Sequence, residues 1–336
     1  MIAKFSGGTV DAVWLEAAAA FRSGIGVRRQ ASRAGDTLEL LHTVLEVEDP
    51  RQRWVTSRRP ALNPAFAIAE VVWILRGRRD AAFLVPWNRS LRSYAGDDAE
   101  YHGAYGARLI HQFGLDQLDR AWQVLSSNPD SRQVVLQIWD PTADLPNSDG
   151  SPRSPDIPCN VCAMPKVRDG RLEWMQVLRS NDLFLGVPYN LIQFTTIQEV
   201  LAGWIGVEVG SYVQLSDSLH VYERDLQAVT DSLGLDAPHN PESLALPREE
   251  SVRCFAELEK RIVMLGSPAL ERKEFDRVLG QRSLPTAYSN LLLVVAAEAA
   301  RRRSWSEAAS EAAELCSNPV LRTVWHRWTE RFAVRD

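Results

Sequence analysis

Four blocks of this sequence carry side chains whose types and spacing could do chemistry together. The first is Pro158-Cys159-Asn160, at the end of a polar loop. A cysteine attacks only as thiolate, and a nearby arginine charge favours that form. The second runs Arg179-Ser180-Asn181-Asp182-Leu183-Phe184-Leu185-Gly186-Val187-Pro188-Tyr189-Asn190. It offers a guanidinium and a hydroxyl, able to grip an anion, then an acid, a glycine turn and an amide that both donates and accepts. The third, His220-Val221-Tyr222, alternates, so His220 and Tyr222 share one face of a strand and can hydrogen-bond a sugar hydroxyl. The fourth joins Gly103-Ala104-Tyr105-Gly106 to Glu70, an acid in the middle of an apolar helical segment. A carboxylate in such a setting is costly unless it is paired or working.

Each residue also has a plainer reading. Asn190 alone could be a helix cap, Arg179 a surface ion pair and His220 a strand histidine. Cys159 and Cys162 make one C-x-x-C, but a structural zinc needs two further ligands, and neither a second C-x-x-C nor an H-x-x-x-H occurs. No metal is expected, and Cys162, Cys254 and Cys316 read as buried apolar side chains.

The elements that must position these blocks follow from pattern. Thr37 to Val47 is β-branched and leucine-rich, as in a strand. Asn63-Pro64 starts a helix, with Asn capping and Pro at the first helical position, and Gly77 stops it after Arg76. Arg132 to Trp139, Leu172 to Leu178 and Val207 to Leu215 read as strands. Asp140 to Pro158 is a loop, and Asn190 to Ile205 a long apolar helix. Ser23-Gly24-Ile25-Gly26 reads as a turn, because a phosphate loop needs more glycines at the right spacing. Helices dominate after Asp225.

The 336 residues, 45% hydrophobic and 24% charged, have the composition of a folded globular protein. A net charge of −5 gives no cationic excess for a nucleic-acid backbone, so no DNA partner is expected. Only four of the 38 basic residues are lysines, which genome base composition explains for most of the arginines. Four scattered cysteines are no disulfide framework. No apolar run has the length of a membrane span or the form of an export signal, so a cytoplasmic setting is expected.

Pro-Cys, then Arg-Ser-x-Asp with Gly-x-Pro-Tyr-Asn, then His-x-Tyr, in this order and spacing, resemble the thymidylate synthase family over roughly Ser32 to Asp225. The sequence is similar above all to the divergent branch that includes pyrimidine nucleotide hydroxymethylases. The resemblance implies an α/β fold with a mixed sheet packed by helices, and a homodimer with a shared nucleotide site. It divides the chain into an N-terminal extension (1–30), a catalytic core (31–225) and a helical C-terminal extension of the same domain (226–336).

By that resemblance Cys159 adds to C6 of a pyrimidine nucleoside monophosphate, and C5 takes a one-carbon unit from 5,10-methylenetetrahydrofolate. Glu70 and Tyr105 would serve the proton network. Arg33, Arg179 and Ser180 would hold the phosphate, with Arg132 donated by the partner subunit. Asn190 would read the base, and His220 and Tyr222 the sugar 3′-hydroxyl. Asp182, Gly186, Leu91 and Tyr94 would face the folate. Leu91 and Tyr94 fall where the family has tryptophans, Asn160 follows the cysteine in place of histidine, and Gln133 and Ser218 replace a phosphate arginine and an aspartate. A changed folate wall favours water over hydride as the group that completes the reaction, so the expected activity is 5-hydroxymethylation. Reductive methylation of dUMP, and a nucleotide- or RNA-binding regulator without turnover, are the alternatives. Asn190 favours uracil over cytosine; the sugar stays open.

Overall fold

The computed structural model describes residues 2–32, 34–281 and 283–332, with the side chain of Tyr94 outside that description. Among the described residues eight strands form one mixed sheet: β1 (Ala3–Gly7), β2 (Arg28–Gln30), β3 (Thr37–Val47), β4 (Leu136–Gln137), β5 (Asn160–Arg168), β6 (Arg171–Leu178), β7 (Asn181–Asp182) and β8 (Glu208–Tyr222). The order is β1-β3-β8-β6-β5-β4, with β2 on β3 and β7 on β8. The α/β class with helices packed on a mixed sheet agrees with the sequence.

Local chemistry explains the elements that carry the site. Helix α1 (Val10–Ser23) starts at Thr9, whose hydroxyl accepts from the Ala12 N–H, and ends at the Gly24 turn. Helix α2 (Pro64–Leu75) starts where Asn63 accepts from the Phe66 N–H at 3.1 Å. It is buried nearly all round, as its apolar sequence demands, and Glu70 is its one charged residue. After α3 (Gln117–Ser127), helix α4 (Val187–Ile205) opens the second half of the layer, three residues earlier than its apolar run suggests because Pro188 fits the first turn.

Two expectations need correction. Of Arg132 to Trp139 only Leu136–Gln137 is a strand, and β5 was hidden because Pro165 and Lys166 interrupt its apolar pattern. The strand expected at Val207 to Leu215 runs on to Tyr222 and takes in the His-x-Tyr block.

Burial along β8 alternates, then changes phase. Tyr212, Gln214 and Ser216 are buried, but beyond them so are Leu219 and Val221. Beside the change lies His42 of β3, held at φ 55° with its Nδ1 2.8 Å from Asp217 Oδ1. A left-handed residue in mid-strand kinks the pair locally. Beyond this kink His220 and Tyr222 turn towards a cleft.

Residues 2–30, 226–281 and 283–332 are built into this body. β1 pairs with β3 in parallel, and α1 contributes Val13, Trp14 and Ala17 to the core. Helices α5 (Arg248–Gly266), α6 (Arg272–Gly280), α7 (Thr286–Arg302), α8 (Ser306–Leu315) and α9 (Pro319–Thr329) follow. Buried Glu199 of α4 ties them to the core. It pairs with Arg53 and accepts from Ser243 Oγ at 2.8 Å and Leu244 N at 2.9 Å. A buried pair is tolerated because the remaining carboxylate lone pairs find donors. No helix among the described residues is long and apolar enough to cross a membrane.

Candidate active site

A cleft of about 1520 Å³ opens beside α2, α4 and the ends of β6 and β8. A pocket for one small molecule spans roughly 300–1,000 Å³, so this cleft has room for two ligands side by side. Glu70, Leu91, Tyr105, Cys159, Arg179, Ser180, Asp182, Gly186, Asn190, His220 and Tyr222 all line it. Arg132 does not: it is exposed, away from the cleft wall. Arg33 and the side chain of Tyr94 lie outside the described residues.

Cys159 sits just before β5, half-buried. Arg179 holds its loop: Arg179 N donates to Cys159 O (2.9 Å), Nε to Pro158 O (3.0 Å) and Nη2 to Ile157 O (3.1 Å). Trp139 lies 5.3 Å beneath the guanidinium. Burial nonetheless pushes the thiol above its ordinary range, and Arg179 only partly offsets that. The arginine charge expected to favour the thiolate does act on it, but burial outweighs it. The resting thiol is protonated, and its proton must leave when substrate arrives.

Glu70 faces the cleft from α2. Its Oε2 is buried without a partner among the described residues. Burial pushes its pKa up to about 7, against a hydrogen bond with Gln193. A carboxyl group poised near neutrality can both take and give a proton. Burial keeps the Tyr105 hydroxyl protonated, with the neighbouring Cys159 charge acting in the same direction and a hydrogen bond to Asn160 opposing. Asn160 is itself held in a buried chain, Trp174 Nε1 to Gln176 Oε1 (3.0 Å) and Gln176 Nε2 to Asn160 Oδ1 (2.9 Å).

Asn190, in the first turn of α4, donates through Nδ2 to Asn181 Oδ1 at 3.2 Å, leaving its oxygen and second N–H for a ligand. The rings of His220 and Tyr222 meet edge to face at 5.5 Å, and His220 Nδ1 is buried without a partner among the described residues. Ser218 is turned away, donating to Glu39.

Asp182 uses Oδ1 to accept from Phe184 N (2.7 Å) and Leu185 N (3.1 Å). Its Oδ2 is buried and unpartnered among the described residues, and burial raises its pKa. An orphaned carboxylate oxygen suits the N–H donors of a flat heterocycle, so the site fits a folate. Cys162 is half-buried on β5, Cys254 and Cys316 are buried, and the described residues hold no group of metal-ligating side chains.

Several cleft residues escaped the sequence reading. Arg58 stacks on the Phe184 ring at 3.9 Å and donates to Phe184 O at 2.7 Å. Asp156, three positions before Cys159, adds a further carboxylate to those of Glu70 and Asp182. The C-terminal helices supply Arg301, Arg302, Trp328, Arg331 and Phe332. Behind them Glu298, fully buried, accepts from Arg301 Nε (2.7 Å), Arg302 Nε (2.7 Å) and Trp328 Nε1 (3.0 Å). Arg331 reaches Ala61 O at 3.1 Å, and Arg301 lies 4.0 Å over the Phe332 ring. Only the Trp and Arg content of that segment signalled it, because nothing in its spacing places it at the cleft.

Comparison with known proteins agrees with this geometry. A family model described as thymidylate synthase matches residues 26–262. The chain is 38% identical over 209 residues to a deoxyuridylate hydroxymethyltransferase of Bacillus phage SP01, covering 59% of this chain and 54% of that protein. It is 36% identical over 215 residues to a deoxyuridylate hydroxymethyltransferase of Pseudomonas phage M6, covering 63% of this chain and 60% of the relative. The chain thus spans less than two thirds of the length of these curated relatives.

Proposed function

This chain belongs to the thymidylate synthase family, and from that premise we propose that it is a one-carbon transferase that converts dUMP to 5-hydroxymethyl-dUMP with 5,10-methylenetetrahydrofolate as co-substrate. The observation that carries the reading is the meeting, in one cleft, of the Cys159 thiol, an acid titrating near 7 and the Asn190 amide. The names of the two phage relatives support the hydroxymethyl product and the uracil base.

The residues divide the work. Arg179 and Ser180 hold the phosphate, joined by Arg33 and by Arg132 of a second copy of the chain. His220 and Tyr222 bond the sugar, and the Asn190 oxygen and N–H complement N3–H and O4 of uracil. Cys159 adds to C6, which makes C5 nucleophilic. Glu70 and Tyr105 exchange protons with the base, and Glu70 removes the C5 proton, directly or through water. Bound along Asp182, Gly186, Leu91 and the Tyr94 position, the folate supplies one carbon at the oxidation level of formaldehyde. Half-exposed Val213 and Leu215 with exposed Met175 give the outer sheet face an apolar surface suited to the dimer that Arg132 requires. A reducing cytoplasm would keep Cys159 free.

Product analysis tests the reading. Enzyme, dUMP and methylenetetrahydrofolate should give a nucleotide heavier by CH2O, and dUMP should outcompete UMP, CMP and dCMP. A methylated nucleotide with stoichiometric dihydrofolate would replace this reading with reductive methylation. Absence of tritium release from C5-labelled nucleotide would leave a binding protein.

A further inference from the structure

Hydroxymethylation needs a step beyond the thiol addition and C5 deprotonation assigned above: a water must lose a proton as it attacks the exocyclic carbon. We infer, resting on the proposed hydroxymethylase function, that Asp156 is the general base for this water. Asp156 lines the cleft three residues before the nucleophile. Its Oδ2 accepts the Gly103 N–H at 2.7 Å, in the same turn that carries Tyr105. The approach is so close that a Cβ on Gly103 would stand 3.0 Å from Asp156 Oδ1. One oxygen is thereby fixed, while no hydrogen bond to a described residue engages Oδ1.

No described cation is paired with Asp156. His102 and Arg108, whose charges reach it, are themselves paired with buried Asp144, at 2.8 Å and 2.6 Å. Burial raises the Asp156 pKa, outweighing the Gly103 hydrogen bond and the charges of His102 and Arg108, and makes it a better base. The neighbouring Pro155 packs against Gly96, at the end of the segment that begins with Leu91. Asp156 therefore stands beside the altered wall, near enough for its charge to act on both Cys159 and Tyr105. Glu70 approaches from α2 and is occupied with the base.

The step balances. Once C5 has lost its proton and the C–N bond to the one-carbon donor has broken, its electron pair leaving with tetrahydrofolate, the nucleotide would carry a C6–S bond to Cys159 and an exocyclic C5=CH2. Water oxygen bonds to the CH2 carbon while its proton passes to Asp156. The C=CH2 electron pair moves into a C4–C5 enolate. That enolate re-forms C4=O and C5=C6 and expels the Cys159 thiolate, which recovers a proton from Asp156. The sum is addition of water, with no oxidant or reductant.

The test uses 2-mercaptoethanol, which competes with water for the exocyclic methylene. Asp156→Asn should release C5 tritium in the first turnover within about threefold of wild type, yet form hydroxymethyl product at least about 100-fold more slowly and divert the nucleotide to a C5 thioether. With Asp156→Ala, added formate should restore hydroxymethyl formation and suppress the thioether. If both variants lose tritium release and product in parallel, with an unchanged partition between thioether and alcohol, this inference fails alone. If wild type makes methylated nucleotide or releases no tritium, the functional reading fails and takes this inference with it.

Discussion

Gly106 lies against Ile74 so closely that a Cβ on it would stand 2.2 Å from the Ile74 carbonyl oxygen and 2.6 Å from its Cα. This contact sets the distance between the turn that carries Tyr105 and the helix that carries Glu70. Gly106→Ala must push α2 or the turn away, and backbone has no rotamer to yield. The expected cost is about 1–3 kcal/mol in urea unfolding. First-turnover tritium release should fall as well, since the two groups proposed to handle protons part. Unchanged stability and rate would show that the contact is not a spacer.

Glu70 gives a pH signature. Its folded pKa of about 7 lies above the ordinary 4.5, so the folded state keeps a proton that the unfolded chain has lost between those values. Its stability contribution is complete below pH 4.5 and is lost as pH rises through 7. Relative to wild type, Glu70→Gln should therefore gain stability between pH 5 and pH 8, by at most about 3 kcal/mol. Urea titrations of both proteins at the two pH values check the sign; a difference independent of pH would contradict it.

The proposed sharing of the site between two subunits has a genetic signature. Arg132→Ala and Cys159→Ala should each be inactive alone. Mixed and allowed to exchange subunits, they should recover up to about a quarter of wild-type activity, because half the dimers then hold one intact site. Recovery of none, with subunit exchange demonstrated by mass, would place Arg132 outside the site.

The C-terminal helices should act on the folate side. Glu298→Gln weakens the charge that gathers Arg301, Arg302 and Trp328, and should raise KM for methylenetetrahydrofolate more than for dUMP. Burial raises the Glu298 pKa, but the hydrogen bonds from Arg301 and Arg302 outweigh it and hold it below the ordinary value. Its stabilisation is therefore present above the unfolded pKa and lost as pH falls through the folded one. The stability deficit of the variant should shrink in acid. Equal rises in both KM values would make the effect a general loosening.

What the sequence disclosed depended on how local the cause was. The α2 cap at Asn63, the β3 limits and the His-x-Tyr alternation each rest on neighbouring residues, and each was legible. Asp156 and Arg58 were not, because a carboxylate in a loop and an arginine in an arginine-rich stretch resemble solvated charge until the chain folds them inward. Arg301 and Phe332 come to the cleft only through packing of α7 and α9 on the core, a relation between segments far apart in the chain. The β5 strand was obscured by its own Pro165 and Lys166.

The kink at His42 and Asp217 has a consequence for how this chain can change length. Pairing continues on both sides of it, Leu41 with Ser218 and Thr43 with Ser216, while the inward-facing set of side chains switches. Removing one residue from β8 beyond the kink would bury His220 and Tyr222 and expose Leu219 and Val221, exchanging a ligand-facing edge for an apolar one. Insertions and deletions should therefore be absent from this strand in any functional descendant, and confined to loops such as the one from Asp140 to Pro158. The end of the cleft lined by His220 and Tyr222 is tied to the residue count of a single strand.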